Sequence, residues 1–137
     1  MQFLVETDVL TEYLVAPAGE ATTLRKALAQ GVCYTTMINA LELFRAAATK
    51  EESDAVMQIL LVVRVLGFNS RYAETFAGIA REIEAETAQH LSEREVMIVG
   101  MARVSKLSIL TEDFFDRYSG FKSPPVQRSI QEVPIAG

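Results

Sequence analysis

Short hydrophobic runs alternate with helix-like stretches along this chain, and acidic residues sit beside four of the apolar segments. Glu6 follows Phe3-Leu4-Val5, and Glu42 lies in Ile38-Asn39-Ala40-Leu41-Glu42-Leu43. Glu95 lies in Ser92-Glu93-Arg94-Glu95, and Asp113 follows Leu107-Ser108-Ile109-Leu110-Thr111. Strands that alternate with helices predict an α/β domain with a mostly parallel sheet. In such a sheet, acids far apart in sequence can converge beyond the strand ends, where ligands bind. Converging carboxylates repel one another, and a divalent cation such as Mg²⁺ or Mn²⁺ would neutralise them and supply the means to cut a phosphodiester.

The local patterns place the elements. Gln2 to Val5 reads as a buried strand, with Thr7 and Asp8 as candidate N-caps of a helix through Tyr13. A second helix is predicted from about Glu20 to Gln30, closed by Gly31 as a C′ glycine. Val32 to Thr35 is the next strand, and Thr36 can cap a helix carrying Leu41, Phe44 and Ala48 on one face. Lys50 to Ser53 reads as a polar turn before a helix from Asp54 to Val63. Arg64 to Phe68 reads as a short extended piece, and Arg71 to about Glu86 as a long helix. Ser92 opens a further helix through Val104. It is apolar nearly all round, which predicts deep burial, and Gly100 within it predicts close approach to a neighbouring strand. Leu107 to Leu110 is a clear strand, and the proline-rich tail from Ser123, with Pro124, Pro125 and Pro134, offers a last edge strand around 126–130.

At 137 residues, half of them hydrophobic, the chain predicts one packed domain spanning 1–137. A net charge of −5 argues against a nucleic-acid binder held by a basic surface, although bound cations could offset it. The one cysteine, Cys33, sits in a strand-like setting and reads as a small buried hydrophobe. No signal peptide or membrane span is expected, because Glu6 interrupts the first apolar run and the longest later run is broken by Gln58 and Arg64. A soluble cytoplasmic protein is the expectation. A single histidine, His90, with a single cysteine makes no ordinary zinc site, and no nucleophile triad or glycine-rich phosphate loop is present.

Each acid has a structural reading beside the functional one. Glu6 suits a metal ligand at a strand end and also a helix N-terminus, where the dipole favours a negative charge. Glu42, flanked by Leu41 and Leu43, suits the edge of a core or an ion pair on a helix surface. Glu95 is a candidate ligand and also the N3 residue of a capping box opened by Ser92. Asp113 suits a strand-end ligand or a turn, and Asp116 a ligand or the surface. Thr7 and Thr111 could orient a carboxylate or cap a helix.

At these residues the chain resembles the PIN-domain family, the metal-dependent ribonuclease fold of VapC-type toxins. Phe3-Leu4-Val5-Glu6-Thr7-Asp8-Val9-Leu10 is similar to the family's first strand, acid and helix start. Thr36 to Leu43 is similar to its second motif, Ser92 to Val104 to its third, and Leu110-Thr111-Glu112-Asp113 to its fourth, with Asp116 at a position where many relatives carry a further acid. The family usually has aspartate at the positions of Glu6 and Glu95.

The resemblance implies a three-layer α/β/α sandwich with a mostly parallel central sheet. It implies that Glu6, Glu42, Glu95 and Asp113 are catalytic and, with Asp116, hold Mg²⁺ or Mn²⁺. The implied activity is endoribonuclease cleavage, and the implied role is the toxin of a toxin–antitoxin pair, with RNA as substrate, an antitoxin protein as partner, and a homodimer as the assembly. Arg45, Arg94, Arg103 or Lys106 would line the rim of the RNA groove. The glutamates at two aspartate positions open an alternative: a catalytically impaired PIN-like module that binds a protein partner or RNA without cleaving it.

Overall fold

A computed structural model of the chain describes residues 1–128 and 130. Its elements, in order, are β1 (Gln2–Val5), α1 (Thr7–Val15), α2 (Thr23–Gln30), β2 (Val32–Thr36), α3 (Met37–Ala46), α4 (Lys50–Ile59), β3 (Arg64–Leu66), α5 (Tyr72–Thr87), α6 (Glu93–Val104), β4 (Ser108–Leu110), α7 (Phe115–Tyr118) and β5 (Val126–Gln127). All the strand pairings are parallel, in the spatial order β3-β2-β1-β4-β5. The expected tail strand is the short β5; Ser129 and Pro134, which the expectation also touched, lie outside the described residues.

The central strand shows why both faces carry helices. Alternate residues of a strand point to opposite faces, so a strand apolar at every position must be covered on both sides. In β1, Phe3 and Val5 join a core with Val9 and Leu10 of α1, Leu24 and Ala27 of α2, Leu43 of α3, and Val56 and Ile59 of α4. Leu4, on the other face, joins Phe76 and Ile83 of α5, Ile98 to Ala102 of α6, and Tyr118 of α7. The result is the three-layer α/β/α sandwich that the resemblance implies. Cys33 is buried within the first core, and burial pushes its thiol up to about 11, in keeping with a structural role.

Three local expectations are corrected. Residues 50–53 are not a turn but the first turn of α4. Thr49 accepts the amide of Glu52 at 3.1 Å, and Glu51 and Glu52 suit the positive end of the helix dipole. Gly31 is not left-handed: its φ of −179° is open to any residue. A Cβ there would lie 2.0 Å from the carbonyl oxygen of Met1, so close approach of the two backbone segments is the reason for glycine. Gly100 approaches a helix rather than a strand, because its Cβ would lie 2.6 Å from the Phe76 ring of α5.

The sheet order also locates the site. Strands are added outward from β1 through β2 to β3 on one side and from β4 to β5 on the other, so the C-terminal ends of β1 and β4 flank a switch point. Glu6 follows β1 directly and Thr111 follows β4 directly.

Candidate functional site

Glu6 is the centre of the site. Its backbone is extended and serves as the N-cap of α1, a place the sequence pattern assigned to Thr7 or Asp8. The side chain is 0% exposed. A buried carboxylate is costly unless donors surround it, and here they do. Oε1 accepts from Arg94 Nη2 at 2.8 Å, Asn39 Nδ2 at 2.8 Å and the Thr7 amide at 3.3 Å. Oε2 accepts from Arg94 Nη1 at 2.9 Å and the Tyr118 hydroxyl at 3.1 Å.

Glu42 meets the same guanidinium from α3. Its Oε2 accepts from Arg94 Nε at 2.9 Å and its Oε1 from Arg94 Nη2 at 2.8 Å. The Thr7 hydroxyl donates to Oε1 at 2.5 Å, so Thr7 orients a carboxylate. Arg94, in the first turn of α6, therefore places one N–H on each of the four carboxylate oxygens of Glu6 and Glu42. Both pairs are bidentate, the strongest geometry available to arginine. Phe114 covers the guanidinium, with the ring centroid 4.9 Å from Cζ. The hydrogen bonds from Arg94 hold the Glu42 carboxyl below the usual glutamate range, against the opposing pull of burial. The same bonds, led by the one to Glu42, push Arg94 further above its already high value, so it stays charged. Burial first, and then the Glu6 charge, pushes the Tyr118 hydroxyl up and keeps it a donor.

Asn39 braces this centre and is itself fully buried. It is the N3 residue of α3, in a capping box with Thr36. Its Oδ1 accepts from the Thr36 amide at 3.1 Å, which leaves its Nδ2 to donate to Glu6 and, at 2.9 Å, to the Thr7 hydroxyl. Asp8 holds the facing loop. It accepts from the Thr111 hydroxyl at 2.9 Å and from the amides of Glu112 and Asp113 at 2.8 and 3.1 Å.

Of the remaining expected acids, Asp113 shares a cleft with Glu42, and Glu95 and Asp116 do not line it. Glu95 takes its structural reading: it completes the Ser92 capping box and pairs with Arg117 on α7, Nε to Oε2, at 2.5 Å. Burial pushes its carboxyl up, but the donors from Arg117 and Ser92 outweigh that and lower it. Asp113 is exposed and lines, with Glu42, Arg94, Asp8 and Phe114, an open cleft of about 560 Å³. Asp116 is exposed in the first turn of α7 and does not line that cleft. Of the basic residues expected at a groove rim, Arg94 is committed to the centre. Arg103 ties α6 to Glu82 of α5 at 2.7 Å, and neither Arg45 nor Lys106 lines the cleft.

The donor set of this centre does not suit a divalent cation. Such an ion needs carboxylate oxygens with free lone pairs, at about 2.0–2.1 Å for Mg²⁺. The oxygens of Glu6 are saturated by five donors, and a guanidinium fills the space between Glu6 and Glu42. Among the described residues no three His, Cys, Asp or Glu side chains come together in a way that could hold a metal. As they stand, these residues do not fit the ion.

The Glu95–Arg117 pair has a pH signature. A carboxyl lowered in the folded state stabilises fully above its unfolded value, and that contribution is lost as pH falls through the folded value. The stability difference between the wild type and Glu95→Gln is expected to be constant near neutral pH and to shrink below the ordinary glutamate value of 4.5. Urea denaturation across the acid range measures it. A difference independent of pH would show that the pair contributes nothing in its charged form.

Sheet order and the helical layers together give a PIN-like α/β/α fold. Solved structures agree. The chain is similar to one in the crystal structure of VapBC2 from Rickettsia felis bound to a DNA fragment from its promoter, with TM-score 0.75, 11% identity, and coverage of 93% of this chain and 98% of that one. It is also similar to a chain of a toxin–antitoxin complex from Klebsiella pneumoniae, with TM-score 0.69, 16% identity, and 95% and 98% coverage. A chain of FitAcB from Neisseria gonorrhoeae matches with TM-score 0.67, 18% identity, and 93% and 97% coverage. No family model and no curated protein matches the sequence. Among the described residues no helix is long and apolar enough to cross a membrane.

Proposed function

We propose that this chain is the PIN-fold member of a toxin–antitoxin-type pair, and that it acts by binding a protein partner rather than by metal-dependent cleavage of RNA. The partner reading is supported by the fold shared, over more than nine-tenths of both chains, with proteins solved as toxin–antitoxin complexes. The observation that carries the non-cleaving reading is the double fork of Arg94 on Glu6 and Glu42. A metal-activated water needs an ion with open coordination positions, and here the carboxylates that would hold the ion are engaged by a side chain. The cleft in front of Arg94 supports the same reading. Asp8, Glu12, Glu42, Glu112 and Asp113 line it against the single, already paired Arg94, a balance that repels phosphates.

The competing reading is a Mg²⁺- or Mn²⁺-dependent endoribonuclease. It is favoured by Glu42 and Asp113 sharing one cleft, and it requires Arg94 to leave its partners. Labelled RNA incubated with the wild type and either ion separates the two. The expected result is no metal-dependent cleavage. Cleavage by the wild type that is abolished in Glu42→Gln would overturn the proposal and establish the nuclease.

A further inference from the structure

We infer that Arg94 is the built-in counter-cation of this site: it stands where the resemblance predicts a divalent ion, and the pocket between Glu6 and Glu42 accepts such an ion only when the guanidinium is removed. The inference rests on the non-cleaving reading above and adds what controls the site.

The geometry supports a cation's role rather than that of an ordinary surface ion pair. Every oxygen of the two carboxylates receives an N–H from the same guanidinium, at 2.8–2.9 Å. Glu6 comes from the end of β1, Glu42 from α3 and Arg94 from α6, so one positive charge draws three elements together, as a shared ion would. Arg94 is 24% exposed, Glu42 37% and Glu6 0%, so the positive group lies between a fully buried carboxylate and a partly exposed one. Asn39 and Thr7 hold the two carboxylates independently of Arg94. Each carboxylate therefore keeps a neutral donor when the guanidinium goes. What remains is two oriented carboxylates open to water on one side. Mg²⁺ commonly binds in this way, through one or two carboxylates with several retained waters.

The test uses Mn²⁺ as the probe on the full chain. Binding is read by loss of the free-ion electron paramagnetic resonance signal and by the melting temperature in Mn²⁺ against chelator. The wild type is expected to take up no Mn²⁺ and to show no shift. Arg94→Gln is expected to bind one Mn²⁺ and to melt about 10 °C higher at an ion concentration 100-fold above its dissociation constant. Arg94→Gln combined with Glu42→Gln is expected to lose that shift. Should Arg94→Gln not fold in chelator, recovery of its fold on adding Mn²⁺ supports the inference, and failure in both conditions overturns it. A folded Arg94→Gln that takes up no Mn²⁺ also overturns the inference and leaves the non-cleaving reading standing. A wild type that binds Mn²⁺ and cuts RNA removes that reading itself.

Discussion

Arg94→Ala is expected to destabilise the protein by about 3–5 kcal/mol, the usual cost of removing one partner from a buried charge pair. For a chain of this size that is a fall in melting temperature of roughly 10–20 °C. The magnitude follows from Glu6, whose fully buried carboxylate loses two of its five donors and its compensating charge. Asn39, Tyr118 and the Thr7 amide remain as neutral donors, which a buried carboxylate cannot rely on alone. Thermal and urea denaturation in chelator measure the effect. Arg94→Met combined with Glu6→Gln removes both charges from the buried end and is expected to recover roughly half of the loss, a coupling expected of residues in direct contact. A single Arg94→Ala variant as stable as the wild type would mean that the guanidinium is not compensating Glu6.

Asp8→Ala is expected to cost about 2–4 kcal/mol, since hydrogen bonds to a charged acceptor are worth roughly 1.5–3 kcal/mol each and do not add fully. Asp8 accepts three: the Thr111 hydroxyl and the amides of Glu112 and Asp113. These bonds join the start of α1 to the loop that follows β4, a sequence separation of more than 100 residues. That loop carries Phe114, the ring that covers Arg94. Asp8→Asn keeps one acceptor oxygen and is expected to fall between Asp8→Ala and the wild type. Urea denaturation gives the ranking, and hydrogen exchange at the Glu112 and Asp113 amides reads the loop directly. Unchanged protection of those amides in Asp8→Ala would show that Asp8 does not hold the loop.

The fold was largely legible because its strands are short runs of Phe, Leu, Val and Ile, and several helices have recognisable caps. Thr36 and Ser92 cap α3 and α6 as the sequence pattern indicates. The convergence of Glu6 and Glu42 was legible too, as a strand end beside a helix, although Glu42 lies in the second turn of α3 rather than the first. What could not be read was which residue of Glu93-Arg94-Glu95 turns inward. Successive helical residues are about 100° apart around the axis, so neighbours face different surroundings. A signal was present: the Ser92–Glu95 capping box commits Glu95 to its own helix end and leaves Arg94 free to point elsewhere. Asn39 carried a similar signal, as a polar N3 residue in an apolar segment. Tyr118 and the loop-holding role of Asp8 had none, since each depends on contacts about 100 residues away.

The most direct test is diffraction from crystals of the wild type grown in Mn²⁺, with an anomalous difference map. If Arg94 is the resident cation, density between Glu6 and Glu42 is a guanidinium bonded to all four carboxylate oxygens, with no anomalous peak among them. A manganese peak on those oxygens, with Arg94 swung out of the pocket, would contradict the account.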